Sequence, residues 1–318
     1  MPATARSEPA FLPPVVAIVG ATGTGKSDAA LDIVQELSQR GSGAEVVNAD
    51  AMQLYQGMDI GTAKLPLDQR RGVPHHLLDI WSVTLEASVA DYQSLARAAV
   101  MEIQSRGAIP ILVGGSGLYI SAVLYEFEFP GTDKDLRATL ESRLESEGRE
   151  SLVAELREKD PLAAAAIDPQ NSRRLIRALE VIALTGKPFG AGLDAEHRPW
   201  QAGTQVLGLR MERDALIQRL DERVDRMWDD GLLEEVRGLI PQGIERGITA
   251  SRAIGYQQAL SVIHGTASQS EARDDTKALT RRFARRQVSW FGRNQDTLWF
   301  DSGERNIAQR AAASILGR

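Results

Sequence analysis

With 318 residues, 43% of them apolar and 25% charged, the chain can bury a sizeable core, and no apolar run approaches the roughly 20 residues of a membrane span. The lack of any cysteine excludes disulfides, thiolate zinc sites and a cysteine nucleophile, and four histidines limit other metal centres. A net charge of -6 argues weakly against a polyanionic partner, but Arg173, Arg174 and Arg177 crowd mid-chain and Arg281, Arg282, Arg285, Arg286 and Arg293 crowd near the C-terminus, so local basic faces remain available.

Residues 1–11, beginning "MPATARSEPA", lack the apolar segment of a secretory signal and are expected to form a flexible tail. Short apolar runs then alternate with helical patterns: "VVAIVG", a helix over 27–40, "AEVVNAD", a helix over 90–106, then "IPILVGG". This rhythm predicts an α/β fold, a parallel sheet covered by helices, with 15–19 and 109–113 as central strands because both are apolar nearly throughout. Charged, alanine-rich helical sequence without strand signals fills 131–200, and "QVLGLRM" returns the chain to the sheet. Helices are expected over 213–239, 250–264 and 272–293, followed by a last short strand, "TLWFD". The expected organisation is a P-loop core from 12–130 and 201–318, interrupted by an all-helical subdomain over 131–200.

"GATGTGKS" matches G-x-x-x-x-G-K-[ST] in full, with an apolar strand before it and a helix after it. Gly20, Ala21, Thr22, Gly23, Thr24, Gly25, Lys26 and Ser27 are therefore candidate phosphate-binding residues, through backbone N–H groups, the helix N-terminus and the Lys26 ammonium. Ser27 is the candidate magnesium ligand. An ATPase also needs a carboxylate after a second strand, but "ILVGGSGLY" puts Gly114, Gly115 and Ser116 there. The first carboxylate after a strand is Asp50, a position that by itself reads equally as a turn residue or helix cap.

Seven blocks occur in the order seen in the tRNA dimethylallyltransferases: "GATGTGKS", "NADAMQLYQGMDIGTAK", "PHHLLDI", "ILVGGSGLY", "NSRRLIRALEV", "SRAIGYQQ" and "RRFARRQVSWFGR". The chain strongly resembles that family, and the absence of cysteine fits its bacterial type, without the zinc finger of eukaryotic relatives. The resemblance implies a P-loop kinase-like fold and transfer of a dimethylallyl group from its diphosphate to N6 of adenosine 37, in tRNAs reading codons that start with U. The P-loop then holds dimethylallyl diphosphate with Mg2+, not ATP. By the same resemblance Asp50 is the general base, Ser116 stands where relatives usually carry threonine, and Arg223 contacts the diphosphate. On its own, an arginine in the apolar stripe of Leu216, Leu220 and Met227 would merely extend past its neighbours.

Substrate tRNA contacts carried over from the family are Asp50, Ala51, Met52 and Gln53, together with Ser116. Arg173, Arg174, Leu175, Ile176 and Arg177 form a second group, and Arg252, Ala253, Ile254, Gly255, Tyr256 and Gln257 a third. Arg137 is carried over across a one-residue shift. The resemblance makes the helical insertion a clamp on the anticodon arm, and a monomeric, cytoplasmic protein without membrane contact is expected. In the last basic helix Leu279, Phe283 and Trp290 are expected to share one face, flanked by Arg282, Arg286 and Arg293. His75 and His76 are adjacent, point to opposite sides of an extended segment, and do not suggest a metal site. The alternative activities are an adenylate dimethylallyltransferase, which shares the P-loop and the aspartate, and a P-loop small-molecule kinase.

Overall fold

The computed structural model describes residues 12–127, 129–189 and 198–317. The expected N-terminal tail and much of the loop closing the insertion, 190–197, lie outside these residues.

The chain enters on β1 (Val16–Gly20), followed by α1 (Lys26–Gln39), β2 (Ala44–Asn48), the two-residue β3 (His75–His76), α2 (Val89–Ser105), β4 (Ile109–Val113) and α3 (Gly117–Leu124). Four helices come next: α4 (Lys134–Ser146), α5 (Arg149–Lys159), α6 (Pro161–Ala166) and α7 (Ser172–Thr185). The rest is β5 (Gln205–Arg210), α8 (Arg213–Asp229), α9 (Leu232–Leu239), α10 (Tyr256–Ile263), α11 (Gln269–Phe291), β6 (Leu298–Asp301) and α12 (Ile307–Ile315). The six strands among the described residues are all parallel, in the order β3-β2-β4-β1-β5-β6.

Both expected central strands are buried along their whole length. Val16, Ile18, Ile109, Ile111 and Leu207 face a core shared with Ile33 and Leu37 of α1 and with Ala311, Ala312 and Ile315 of α12. The alternate residues Ala17, Val47 and Leu112 face the other side, where α2 packs on β2 and β4 and α11 packs on β1. Each such Val, Leu or Ile side chain contributes roughly 1.5–3 kcal/mol by leaving water, which is why these runs are apolar on both faces. The chain leaves β1 toward β2 on one side, while β5 lies on its other side, so the loop after β1 sits at the switch in strand order where ligands bind in open parallel sheets.

Two expectations change. The helix expected over 213–239 is broken at Gly231, whose φ of 106° no other residue adopts cheaply, and α9 starts afresh beyond it. The expected helix over 250–264 begins as a 3-10 turn, Ala250–Arg252, and becomes α-helical only at Tyr256. The buried face of α11 is Ala272, Thr276, Ala284, Gln287 and Phe291, while Leu279 and Phe283 are half-buried and Trp290 is exposed. Three elements carried no signal strong enough to be expected, α3, α12 and the short β3.

Residues Tyr125–Pro199 form a compact unit of their own, and the remaining residues form the other. Within it Leu140, Leu152, Leu156, Leu175, Ile176 and Leu179 build a separate core. The unit starts before the expected residue 131, because Tyr125 bridges Pro199 and Glu126 N–H donates to the Arg198 carbonyl at 3.0 Å, closing the neck. Asp160 ties the end of this unit together: one carboxylate oxygen caps α6 at Ala163 N and the other accepts from Phe189 N.

Candidate functional site

The loop between β1 and α1 carries Gly20, Gly23 and Gly25 at positive φ, so successive peptide groups can turn toward one concavity at the start of α1. Its walls are fixed from several elements. Thr24 Oγ1 donates to the Ala21 carbonyl at 2.9 Å, and Lys26 Nζ folds back onto the same carbonyl at 2.8 Å. From α11, the buried amide of Gln287 accepts from Thr22 N at 2.8 Å and donates to the Gly115 carbonyl at 2.7 Å. That side chain thereby holds the P-loop at a set distance from the end of β4. It was not among the residues expected from sequence, although its i, i+3, i+7 spacing from Ala284 and to Phe291 marks the buried face.

Asp50 follows β2 and lines the same cavity as Lys26, Ser27 and Arg223, a space of about 760 Å³. Its Oδ1 accepts from Met52 N at 2.9 Å, an Asx turn, and its own N–H donates to Asn48 Oδ1 at 3.0 Å. The turn-residue reading of Asp50 holds, and the same turn fixes where its carboxylate stands in the cavity. Ser116 Oγ accepts from Ala51 N at 3.1 Å, binding the end of β4 to the backbone beside Asp50. This crossing requires glycine: a Cβ on Gly114 would lie 2.2 Å from the Ala49 carbonyl oxygen and 2.3 Å from its carbon. We expect Gly114→Ala to lower unfolding stability by about 3 kcal/mol through this overpacking, measured by denaturant titration. A wild-type midpoint would show that the two strand ends can part without cost.

The electrostatics of the cavity favour an anion. Lys26 has its pKa pushed down to about 8, chiefly by burial, with Asp50 opposing the shift and the Arg223 charge adding to it. Arg223 is also held below its ordinary value, first by burial and then, against the pull of Asp50, by Arg219 and Arg226. Its guanidinium donates to Thr22 Oγ1 at 2.9 Å and to the Thr62 carbonyl at 3.4 Å. Arg219, Arg223 and Arg226 lie at i, i+4 and i+7, so one face of α8 presents three cations to the cavity. Only Arg223 was expected; the same spacing in the sequence would have found the other two. Like charges this close to Lys26 disfavour one another's charged forms, Asp50 offsets them in part, and an anion among them would favour the charged forms further. Beneath Asp50, Tyr92 and Tyr119 pack with ring centroids 4.6 Å apart. Burial drives both phenols far above their ordinary range, so neither ionises near neutral pH.

Among the residues expected at the site, the fold gathers the whole P-loop, Asp50, Ala51, Gln53, Ser116 and Arg223 at the C-terminal ends of β1, β2 and β4. The third expected group divides. Arg252 and Gln257 are exposed, whereas Ala253 is buried and Tyr256 is fully buried with its hydroxyl 2.5 Å from Glu235 Oε1. In the separate helical unit Arg173 and Arg174 are exposed, while Leu175 and Ile176 are core residues. Arg137 and Arg177 both bond Glu180, a fully buried carboxylate that also accepts from Asp133 N, and Arg177 reaches the Pro130 and Gly131 carbonyls. Burial acts to raise the Glu180 pKa, and the two arginines and Asp133 N–H outweigh it, leaving the group below its ordinary value. His75 and His76 form β3, and His76 Nε2 lies 2.6 Å from Glu45 Oε2.

The sequence model of the IPP transferase family matches residues 53–295. A tRNA dimethylallyltransferase from Clavibacter sepedonicus is 55% identical over 302 residues, covering 95% of this chain and 98% of the relative. Another from Thermobifida fusca (strain YX) is 50% identical over 301 residues, covering 95% and 94%. Among solved structures, the full-length tRNA isopentenylpyrophosphate transferase from Bacillus halodurans superposes with a TM-score of 0.69 at 39% identity, covering 96% of each chain. A eukaryotic dimethylallyltransferase acting on tRNA gives a TM-score of 0.80 at 28% identity, covering 96% of this chain and 80% of the other.

Proposed function

The chain belongs to the IPP transferase family and transfers a dimethylallyl group from dimethylallyl diphosphate to tRNA, and from that premise we propose that the acceptor atom is N6 of adenosine 37 in tRNAs reading codons that start with U. The observation that carries the site assignment is the convergence of Lys26, Arg223 and Asp50 on one cavity whose β4 wall ends in Gly114 and Gly115. A cationic cradle beside a carboxylate, without a second-strand carboxylate, suits departure of a diphosphate better than ATP hydrolysis.

In the proposed reaction the C–O bond to the diphosphate breaks as a bond forms between the allylic carbon and N6. Negative charge grows on the departing oxygen, and the free P-loop N–H groups, Arg223 and Lys26, once its ammonium leaves the Ala21 carbonyl, receive it. The adenine amine is a weak nucleophile because its lone pair is delocalised into the ring. Asp50 takes its proton as the new bond makes that proton acidic, and Ser116 holds the strand end that carries Asp50. The acceptor base must leave its stack to reach this depth. Magnesium fits this donor set, since it commonly takes one or two protein oxygens and completes its shell with phosphate and water, and the Ser27 hydroxyl borders the cavity. When bound it neutralises charge on the diphosphate.

For the RNA, the exposed Arg173 and Arg174 of the helical unit and the exposed Arg252, Arg282, Arg285, Arg286 and Arg293 of the other supply phosphate contacts, which carry affinity more than sequence information. The helical unit is proposed to grip the anticodon arm, with Arg137 and Arg177 shaping it through Glu180. No helix among the described residues is long and apolar enough to cross a membrane. A monomer working in the cytoplasm, where its tRNA substrates are, completes the reading.

The test offers labelled dimethylallyl diphosphate with unmodified tRNA, with AMP and with no acceptor, and ATP in a parallel series. Label should enter the tRNA and map to adenosine 37 by nuclease digestion and mass spectrometry. Label in AMP but not in tRNA would support the adenylate alternative, and phosphate transfer from ATP without prenyl transfer would support a kinase.

A further inference from the structure

Glu235, in the first turn of α9, does not line the cavity, yet its carboxylate accepts from the loop that forms one of the cavity walls. Oε2 accepts from Asp59 N at 3.1 Å and Ile60 N at 2.6 Å, and Oε1 accepts from Gly61 N at 3.3 Å and from the Tyr256 hydroxyl at 2.5 Å. Three consecutive N–H groups converging on one carboxylate form an anion nest, filled here by the protein's own side chain. The nest needs glycine at its end, because a Cβ on Gly61 would lie 2.4 Å from the Tyr256 ring and 2.9 Å from Leu232. Beyond it the loop is pinned again by the buried Lys64, whose ammonium bonds Asp59, Asp79 and the Tyr55 carbonyl. Between the two anchors lies Thr62, whose carbonyl receives Arg223 Nη2 at 3.4 Å and Gln53 Nε2 at 3.2 Å.

We propose that Glu235 is a positioning residue for Arg223, acting through the backbone of residues 59–62, and that it thereby sets how tightly the P-loop cavity holds a diphosphate. The inference rests on the reading that this cavity takes the donor's diphosphate. The guanidinium of Arg223 is held from two sides, by Thr22 Oγ1 of the P-loop and by the Thr62 carbonyl. Only the second of these depends on the loop, and the loop depends on Glu235. Without the carboxylate, three N–H groups lose their shared acceptor, the Thr62 carbonyl keeps only the Lys64 anchor and the Gln53 and Met58 bonds to hold it, and a long arginine side chain regains conformations that miss the anion. Tyr256 belongs to the same device: its buried hydroxyl orients the carboxylate, which gives the "AIGY" segment a role behind the site rather than on the RNA.

Glu235→Gln, Arg223→Lys and the double variant are compared by calorimetry of inorganic diphosphate with magnesium on the full chain without tRNA, and by steady-state kinetics with tRNA. Glu235→Gln should weaken diphosphate about 10-fold, as expected for a lost set of charge-assisted hydrogen bonds, while KM for tRNA changes less than about twofold. The double variant should bind diphosphate no worse than Arg223→Lys alone within about threefold, because Glu235 works through Arg223. Additive losses, or wild-type diphosphate binding by Glu235→Gln, overturn the proposal. If that variant does not fold, Tyr256→Phe removes one donor to the same carboxylate, and its expected loss of about threefold decides the question, unchanged binding counting against it. A wild-type protein that binds no diphosphate would instead remove the reading of the cavity itself, an outcome distinct from a tight wild type matched by a tight Glu235→Gln.

Discussion

Asp50→Ala lowers turnover by about 10²-fold or more while tRNA binding survives, as expected for removal of a general base. The side chain is small and its backbone is fixed independently, by Asn48 on one side and by Ser116 through Ala51 N on the other. Its own fold contribution is the single bond to Met52 N, so the variant should remain folded. Asp50→Asn sharpens the test: the amide oxygen can keep the turn, but it cannot take a proton. Quench-flow measurement of the chemical step with saturating tRNA should show both variants slowed alike, with filter-binding affinity for tRNA within about threefold of wild type. Full turnover in either variant would remove Asp50 from the mechanism.

Lys26→Met lowers kcat/KM by about 10²–10³-fold, the range expected when one preorganised donor to a developing anion is lost. The depressed pKa of Lys26 gives a second readout. In the free protein the ammonium loses its proton above about pH 8, because burial opposes the charge. A bound diphosphate favours the charged form and raises that pKa. Above about pH 8 donor binding must therefore take up a proton, and affinity must fall as pH rises; below about pH 7 Lys26 is charged in both states and no proton moves. Calorimetry of dimethylallyl diphosphate in two buffers of different ionisation enthalpy, without tRNA, should find uptake approaching one proton near pH 9 in wild type and none in Lys26→Met. Equal proton uptake in both would assign the linkage to another group.

Some of this was legible in one sequence because the physics is local. The P-loop reads directly, since glycine spacing and the strand-to-helix setting decide where peptide N–H groups can point, and the apolar runs of β1 and β4 announce strands buried on both faces. The helical character of the insertion follows from its alanine-rich, charged pattern. Asp50 was legible as a carboxylate after a strand, but its role came only through the family blocks around it. The unbroken helix expected over 213–239 failed at Gly231, where a lone glycine in a helical pattern reads as tolerated until its positive φ is seen.

What the sequence by itself determined, then, is the P-loop motif, the layer architecture and the family: the first rests on a pattern within about one element's length, the other two on the order of such patterns along the chain. Tertiary structure alone decided which polar side chains serve the cavity from behind. Gln287 lies 265 positions from the Thr22 N–H that it holds, and Glu235 lies 176 from Asp59 N. No periodicity carries such pairings, because they depend on how α9 and α11 pack against the loops at the strand ends. Packing within each unit turned Tyr256 of one, and Leu175 and Ile176 of the other, inward, since a large ring or an aliphatic side chain gains free energy by leaving water.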